Sequence, residues 1–75
     1  MDIKIRIGKR IKELRLTAGF TQESFAHSCG LDRTYIASVE NGNRNISIQN
    51  IEKISNALGL SLKAFFDSEI FINED

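Results

Sequence analysis

The chain has 75 residues, with ten lysines and arginines balanced by ten acidic residues, one histidine, one cysteine and no proline. That length holds one domain, which buries only about 60% of its unfolded surface and so gains from oligomerisation. The lone Cys29 excludes a disulfide framework and cysteine-based zinc fingers, and no apolar run is long enough to cross a membrane.

Ile7, Ile11 and Leu14 recur at helical spacing with lysines and arginines between them, which predicts a first helix over 4–17, closed by Ala18-Gly19. Thr21 is placed to cap a second helix over 22–29, whose inward face is Phe25 and Ala26. Gly30 stands where a helix ends in a left-handed turn. Leu31 fills the turn, and Asp32 caps a third helix over 33–40 with Ile36 and Val39 inward. Asn41-Gly42 signals the next turn. Ser47 caps a fourth helix over 48–58, with Ile51, Ile54, Ala57 and Leu58 on one face, and Gly59 ends it. Ser61 caps a short fifth helix over 62–67. The tail, 68–75, alternates apolar and acidic residues. The expected fold is all-α: a compact five-helix bundle over 1–67, with the tail as a candidate part of a dimer seam.

Charge is unevenly placed. Residues 1–44 hold eight basic and five acidic residues, a balance of plus three; residues 45–75 hold two basic and five acidic, a balance of minus three. A basic first half suits an anionic partner better than the neutral sum suggests.

The informative stretch is TQESFAHSCGLDRTYIASVENG, residues 21–42. It reads as helix, glycine turn, helix, an arrangement whose two helices cross steeply. The third helix then presents Arg33, Thr34, Ala37 and Ser38 outward. Small and polar groups with one arginine suit a DNA major groove.

These residues resemble the helix-turn-helix of the phage-repressor and Cro-type (XRE-like) family. The likeness rests on Thr21-Gln22-Glu23, Ala26, Gly30, Ile36, Glu40-Asn41-Gly42 and the Ile51–Leu58 helix, and covers roughly residues 5–67. The segment Leu31-Asp32-Arg33-Thr34-Tyr35-Ile36, with Arg44-Asn45 and Ser47 downstream, is most similar to the controller proteins of bacterial restriction–modification systems. The lambda-repressor-like fold is implied, and with it a regulator that binds a near-palindromic operator in double-stranded DNA as a homodimer. A phage-type repressor or an antitoxin-like regulator shares the same features, and a helix-turn-helix protein-interaction module is a more distant alternative.

The resemblance also implies roles. Arg33, Thr34, Ala37 and Ser38 would contact bases. Gln22, Tyr35, Asn41, Asn43, Arg44 and Asn45 would hold the sugar-phosphate backbone. Arg15 and Glu40 would form a partly buried structural ion pair. Ile46, Ile48, Leu62, Phe65 and Phe66 would build the dimer interface, with Ile70, Phe71 and Ile72 adding to it. Glu23 either touches RNA polymerase or is simply a favourable charge at a helix N-terminus.

Other readings of the same residues are blander. His27 and Cys29, two apart on a helix, point to different faces and suggest structure rather than metal binding or catalysis. Asp32 is a cap before it is an acid. No nucleophile–base pair, phosphate loop or metal-ligand set is visible, so no enzyme, metal or cofactor is expected. The opening MDIKIRIGKR lacks the apolar core of a signal peptide, so a cytoplasmic protein is expected, with neither membrane nor small-molecule effector as partner.

Overall fold

A computed structural model describes residues 2–72. Five α-helices and one 3₁₀ turn follow in order: α1 (Ile3–Thr17), α2 (Gln22–Cys29), α3 (Arg33–Glu40), α4 (Ile48–Ala57), α5 (Leu62–Phe66) and the turn Glu69–Phe71. Residues 73–75 of the expected tail lie outside the described residues.

Side chains set the helix starts. Asp2, Thr21, Asp32, Ser47 and Ser61 are all extended in backbone, and each accepts a hydrogen bond from an otherwise unpaired amide in its helix's first turn. The Asp2 cap, 2.8 Å from the Lys4 amide, starts α1 one residue before the expected position 4. Helices α4 and α5 each end one residue earlier than expected, because Leu58 and Asp67 serve as their C-caps. At the end of α2, Gly30 adopts φ +70°, and its cap closes with the Leu31 amide 2.9 Å from the Ala26 carbonyl. A side chain at that φ would be strained, so the sharp turn into α3 requires glycine.

The core takes residues from every α-helix: Ile7 and Ile11 of α1, Phe25, Ala26 and Cys29 of α2, Ile36 and Val39 of α3, Ile51 and Ile54 of α4, and Phe65 of α5. Burial pushes the Cys29 thiol up to about 11, so it stays neutral and inert at ordinary pH. The 3₁₀ turn brings Phe71 onto the core and within 5.1 Å of the Phe66 ring.

Helices α1 and α3 cross at Gly8. A Cβ built there would overlap the Val39 carbonyl oxygen and lie 2.8 Å from that of Glu40, both backbone atoms. Nothing flexible is available to move aside. The backbones therefore touch where only hydrogen fits. Two residues further along α1, the Arg10 guanidinium donates to the Phe65 carbonyl at 2.8 Å and the Ala64 carbonyl at 3.1 Å. It satisfies carbonyls at the C-terminal end of α5 and places a positive charge at the negative end of that helix.

Arg15 and Glu40 form a bidentate ion pair, Nε to Oε2 at 2.7 Å and Nη2 to Oε1 at 3.0 Å. Both side chains are almost wholly buried. Two further bonds extend the pair: Arg15 Nη1 donates to the Phe20 carbonyl at 2.9 Å, and Gln22 Nε2 donates to Glu40 Oε1 at 3.1 Å. One carboxylate thus joins α1, α2 and α3.

Two stability measurements follow from this packing. Glycine to alanine in a helix interior normally stabilises by about 1 kcal/mol. Gly8→Ala should instead destabilise, by on the order of 1–3 kcal/mol in urea unfolding, because the new methyl meets backbone. A gain in stability would contradict the close approach. Glu40→Ala should lower the unfolding free energy by about 3–5 kcal/mol, since it strands a buried guanidinium. The double change Arg15→Met with Glu40→Leu should recover most of that loss, and an unaltered melting temperature in Glu40→Ala would contradict the role assigned to the pair.

Candidate nucleic-acid interface

The first turn of α3 is the most exposed part of the second helix of the pair. Asp32 caps it, accepting from the Thr34 amide at 2.8 Å, and this fixes the backbone under Arg33 and Thr34. Both of these side chains are exposed. Ala37 and Ser38 lie one turn on along the same helix and are half-buried. Their opposite neighbours, Ile36 and Val39, are fully buried, so α3 cannot rotate without breaking the core. The result is a fixed ridge with a long cation at its tip and small groups behind it. Such a shape fits a groove floor, where an arginine can meet guanine in two hydrogen bonds.

Beyond α3 the chain turns through Asn41 and Gly42. The Asn43 amide returns to the Ser38 carbonyl at 3.0 Å, and Gly42 has φ +76°. Gly42 lies against Ile5 of α1, where an added Cβ would come within 2.8 Å of the Ile5 side chain. The loop is thereby pinned at its start to two helices. Asn41, Asn43, Arg44 and Asn45 are all exposed along it. Arg44 folds back so that its guanidinium carbon lies 4.8 Å from the centre of the Tyr35 ring. The Tyr35 hydroxyl accepts a hydrogen bond from Asn50 Nδ2 at 3.0 Å. These three residues come from α3, the loop and α4. With Asp32 and Thr34 they line an open cleft of about 450 Å³ beside the first turn of α3.

One expectation needs correction. Phe65 was expected across a dimer seam, but it has no exposed surface and belongs to the protomer's own core. Its neighbour Phe66 takes the outward place, 41% exposed, and the two rings meet edge to face at 4.9 Å. Ile48, at 80% exposure, and Leu62, at 41%, also face outward, whereas Ile46 is half-buried against the core. The Gln22 side-chain nitrogen, expected on a phosphate, donates one hydrogen to Glu40, and its second amide hydrogen is left for an outside partner.

Sequence reasoning missed Asn50, Gly8 and Arg10. The glycine did carry a signal, since an interior helical glycine has a cost that calls for a packing reason. For Asn50 and Arg10 there was none, because their partners are 15 and 55 positions away. Among the described residues, no group of three or more histidine, cysteine, aspartate or glutamate side chains is placed to hold a metal. No helix there is long and apolar enough to cross a membrane.

Known proteins share this fold. The helix-turn-helix family profile matches residues 11–65. The control protein C.MunI of Mycoplasma sp is 53% identical over 66 residues, covering 87% of this chain and 89% of its own. The control protein C.BamHI of Bacillus amyloliquefaciens is 43% identical over 67 residues, covering 88% and 83%. Among solved structures, the restriction–modification controller protein C.Esp1396I superposes with a TM-score of 0.88 at 34% identity, over 100% of this chain and 99% of its own. That protein has also been solved on a 25 base pair operator and as a tetramer on its natural 35 base-pair operator. With its profile match, its close relatives and its superposable structures in accord, the chain belongs to the helix-turn-helix family, and its relatives include the controller proteins of restriction–modification systems.

Proposed function

We propose that this chain is a sequence-specific, DNA-binding transcription regulator of the controller type. It binds a near-palindromic operator as a homodimer and regulates its own gene and that of a neighbouring endonuclease. The observation that carries the reading is the rigid first turn of α3, which holds Arg33 and Thr34 out from a core that fixes the helix in rotation. The operator complexes of the similar C.Esp1396I support the same use of the fold.

In this reading α3 lies in the major groove. Arg33 bonds guanine O6 and N7, Thr34 meets a base edge or a thymine methyl, and Ala37 and Ser38 allow the close approach. Tyr35, Asn41, Asn43, Arg44 and Asn45 hold the sugar-phosphate backbone and so fix the register, while Gln22 contributes its remaining amide hydrogen. Ile48, Leu62 and Phe66 supply the apolar surface between protomers, together with what half-buried Ile46 and the 3₁₀ turn expose. Two α3 helices then reach half-sites about one helical turn apart. No bond is made or broken, and no metal, cofactor or small-molecule effector takes part. The chain acts in the cytoplasm. Glu23, exposed in the first turn of α2, is available to touch RNA polymerase when the bound dimer activates.

The test is selection of bound duplexes from a randomised pool, followed by titration at two salt concentrations. The expected result is a palindromic site whose affinity falls steeply with salt. Arg33→Ala should lose about 1–3 kcal/mol of discrimination at one base pair in each half-site. Binding without sequence preference, or none, would replace the regulator with a protein-interaction module.

A further inference from the structure

Asn50 has no place in the contacts assigned so far, yet its side chain makes a specific long-range bond. It stands in the first turn of α4, where its own amide is already capped by Ser47 Oγ at 3.1 Å. The side-chain nitrogen is therefore not needed to close that helix end. It donates instead to the Tyr35 hydroxyl at 3.0 Å. The phenol that receives this bond carries Arg44 on its face, with the guanidinium carbon 4.8 Å from the ring centre.

The direction of the bond has a chemical consequence. A phenol has one hydrogen and can both donate and accept. Because the amide nitrogen of Asn50 can only donate, the phenol accepts from it, and its own hydrogen is left to point elsewhere. Tyr35 is half-buried, with its neighbours Asp32, Thr34 and Arg44 around the open cleft, so that hydrogen is available to an acceptor on the α3 side. A phosphate oxygen is an acceptor of that kind. The same bond also limits swing of the ring. A ring that stays in place is a fixed platform for Arg44, whose long side chain would otherwise lose much rotamer freedom on meeting DNA. Arg44 as a residue is exposed, and stacking one face of a guanidinium leaves its in-plane N–H groups able to reach a phosphate.

We propose that Asn50 is a positioning residue for operator binding: through the Tyr35 hydroxyl it presets the phenol, and through the ring it presets Arg44, before DNA arrives. This rests on the DNA-binding reading above and adds a residue that itself needs touch no DNA. It also separates two kinds of contact on one face. Arg33 and Thr34 are held by α3 alone, whereas Tyr35 and Arg44 depend on α4 for their geometry.

A double-mutant cycle tests this, using the duplex that the wild-type chain selects from a random pool. Tyr35→Phe keeps the ring and removes the hydroxyl; Asn50→Ala removes the donor. Each should weaken binding about three- to tenfold, the range of a net neutral hydrogen bond. The double variant should be no weaker than the weaker single variant, because both remove the same linkage. Melting temperatures should stay within a few degrees of wild type, and the preferred base at the Arg33-dependent position should be unchanged. Additive losses would overturn the proposal, since Asn50 would then act on DNA directly. So would wild-type affinity in Asn50→Ala, or a weakening that follows a large loss of melting temperature. If the wild-type chain selects no duplex, the DNA-binding reading itself fails, and this proposal with it.

Discussion

The carboxylate of Glu40 is the point on which the arrangement of the helix pair depends. It accepts from Arg15 twice and from Gln22 once, so α1, α2 and the last residue of α3 share a single acceptor group. A buried pair of this kind is a weak source of net stability, because desolvation offsets most of the attraction. Its value lies in direction. Apolar contacts of Phe25, Ile36 and Val39 hold the helix in rotation but have no hydrogen-bond direction of their own, whereas a two-pronged arginine bond accepts one geometry. The pair sits at the C-terminal end of α3, immediately before the Asn41-Gly42 turn. It therefore sets both the tilt of the helix and the starting point of the loop that carries Arg44.

The rest of the molecule supports that frame by close contact more than by mass. Gly8 lets the α1 backbone meet the carbonyls of Val39 and Glu40, so the ion pair and the tightest helix crossing occupy the same region. Gly42 then lies against Ile5 on the same helix. Arg10, on α1 as well, reaches the carbonyls at the end of α5 and positions the segment that exposes Phe66. Helix α1 thus acts as a spine. Through Gly8 and Arg15 it orients the surface read here as facing DNA, and through Arg10 it orients the surface read here as facing a second protomer.

Much of this was legible in the chain before folding, and the reasons are local. A capping side chain followed by apolar residues at helical spacing is a short-range signal, so Thr21, Asp32, Ser47 and Ser61 mark their helix starts correctly. The left-handed turn at Gly30 is equally local. Where the sequence misled, tertiary packing made the choice. Phe65 and Phe66 are adjacent and chemically identical, and only the rotation of α5, held by Arg10, decides which one is buried. Gln22 looks like a free polar residue at a helix start until Glu40 is brought to it from 18 positions away. Asn50 is one polar residue among several near the start of α4, and its bond to Tyr35 exists only once α3 and the loop are in place.

In the proposed function, two copies of α3 read successive major grooves on one face of the duplex. The most direct measurement is a hydroxyl-radical footprint on the selected operator, repeated after about five base pairs, half a helical turn, are inserted between the half-sites. Two protected patches about one turn apart are expected on the intact site, and tight binding should be lost when the insertion moves one half-site to the opposite face. A single protected patch, or affinity indifferent to the insertion, would contradict it.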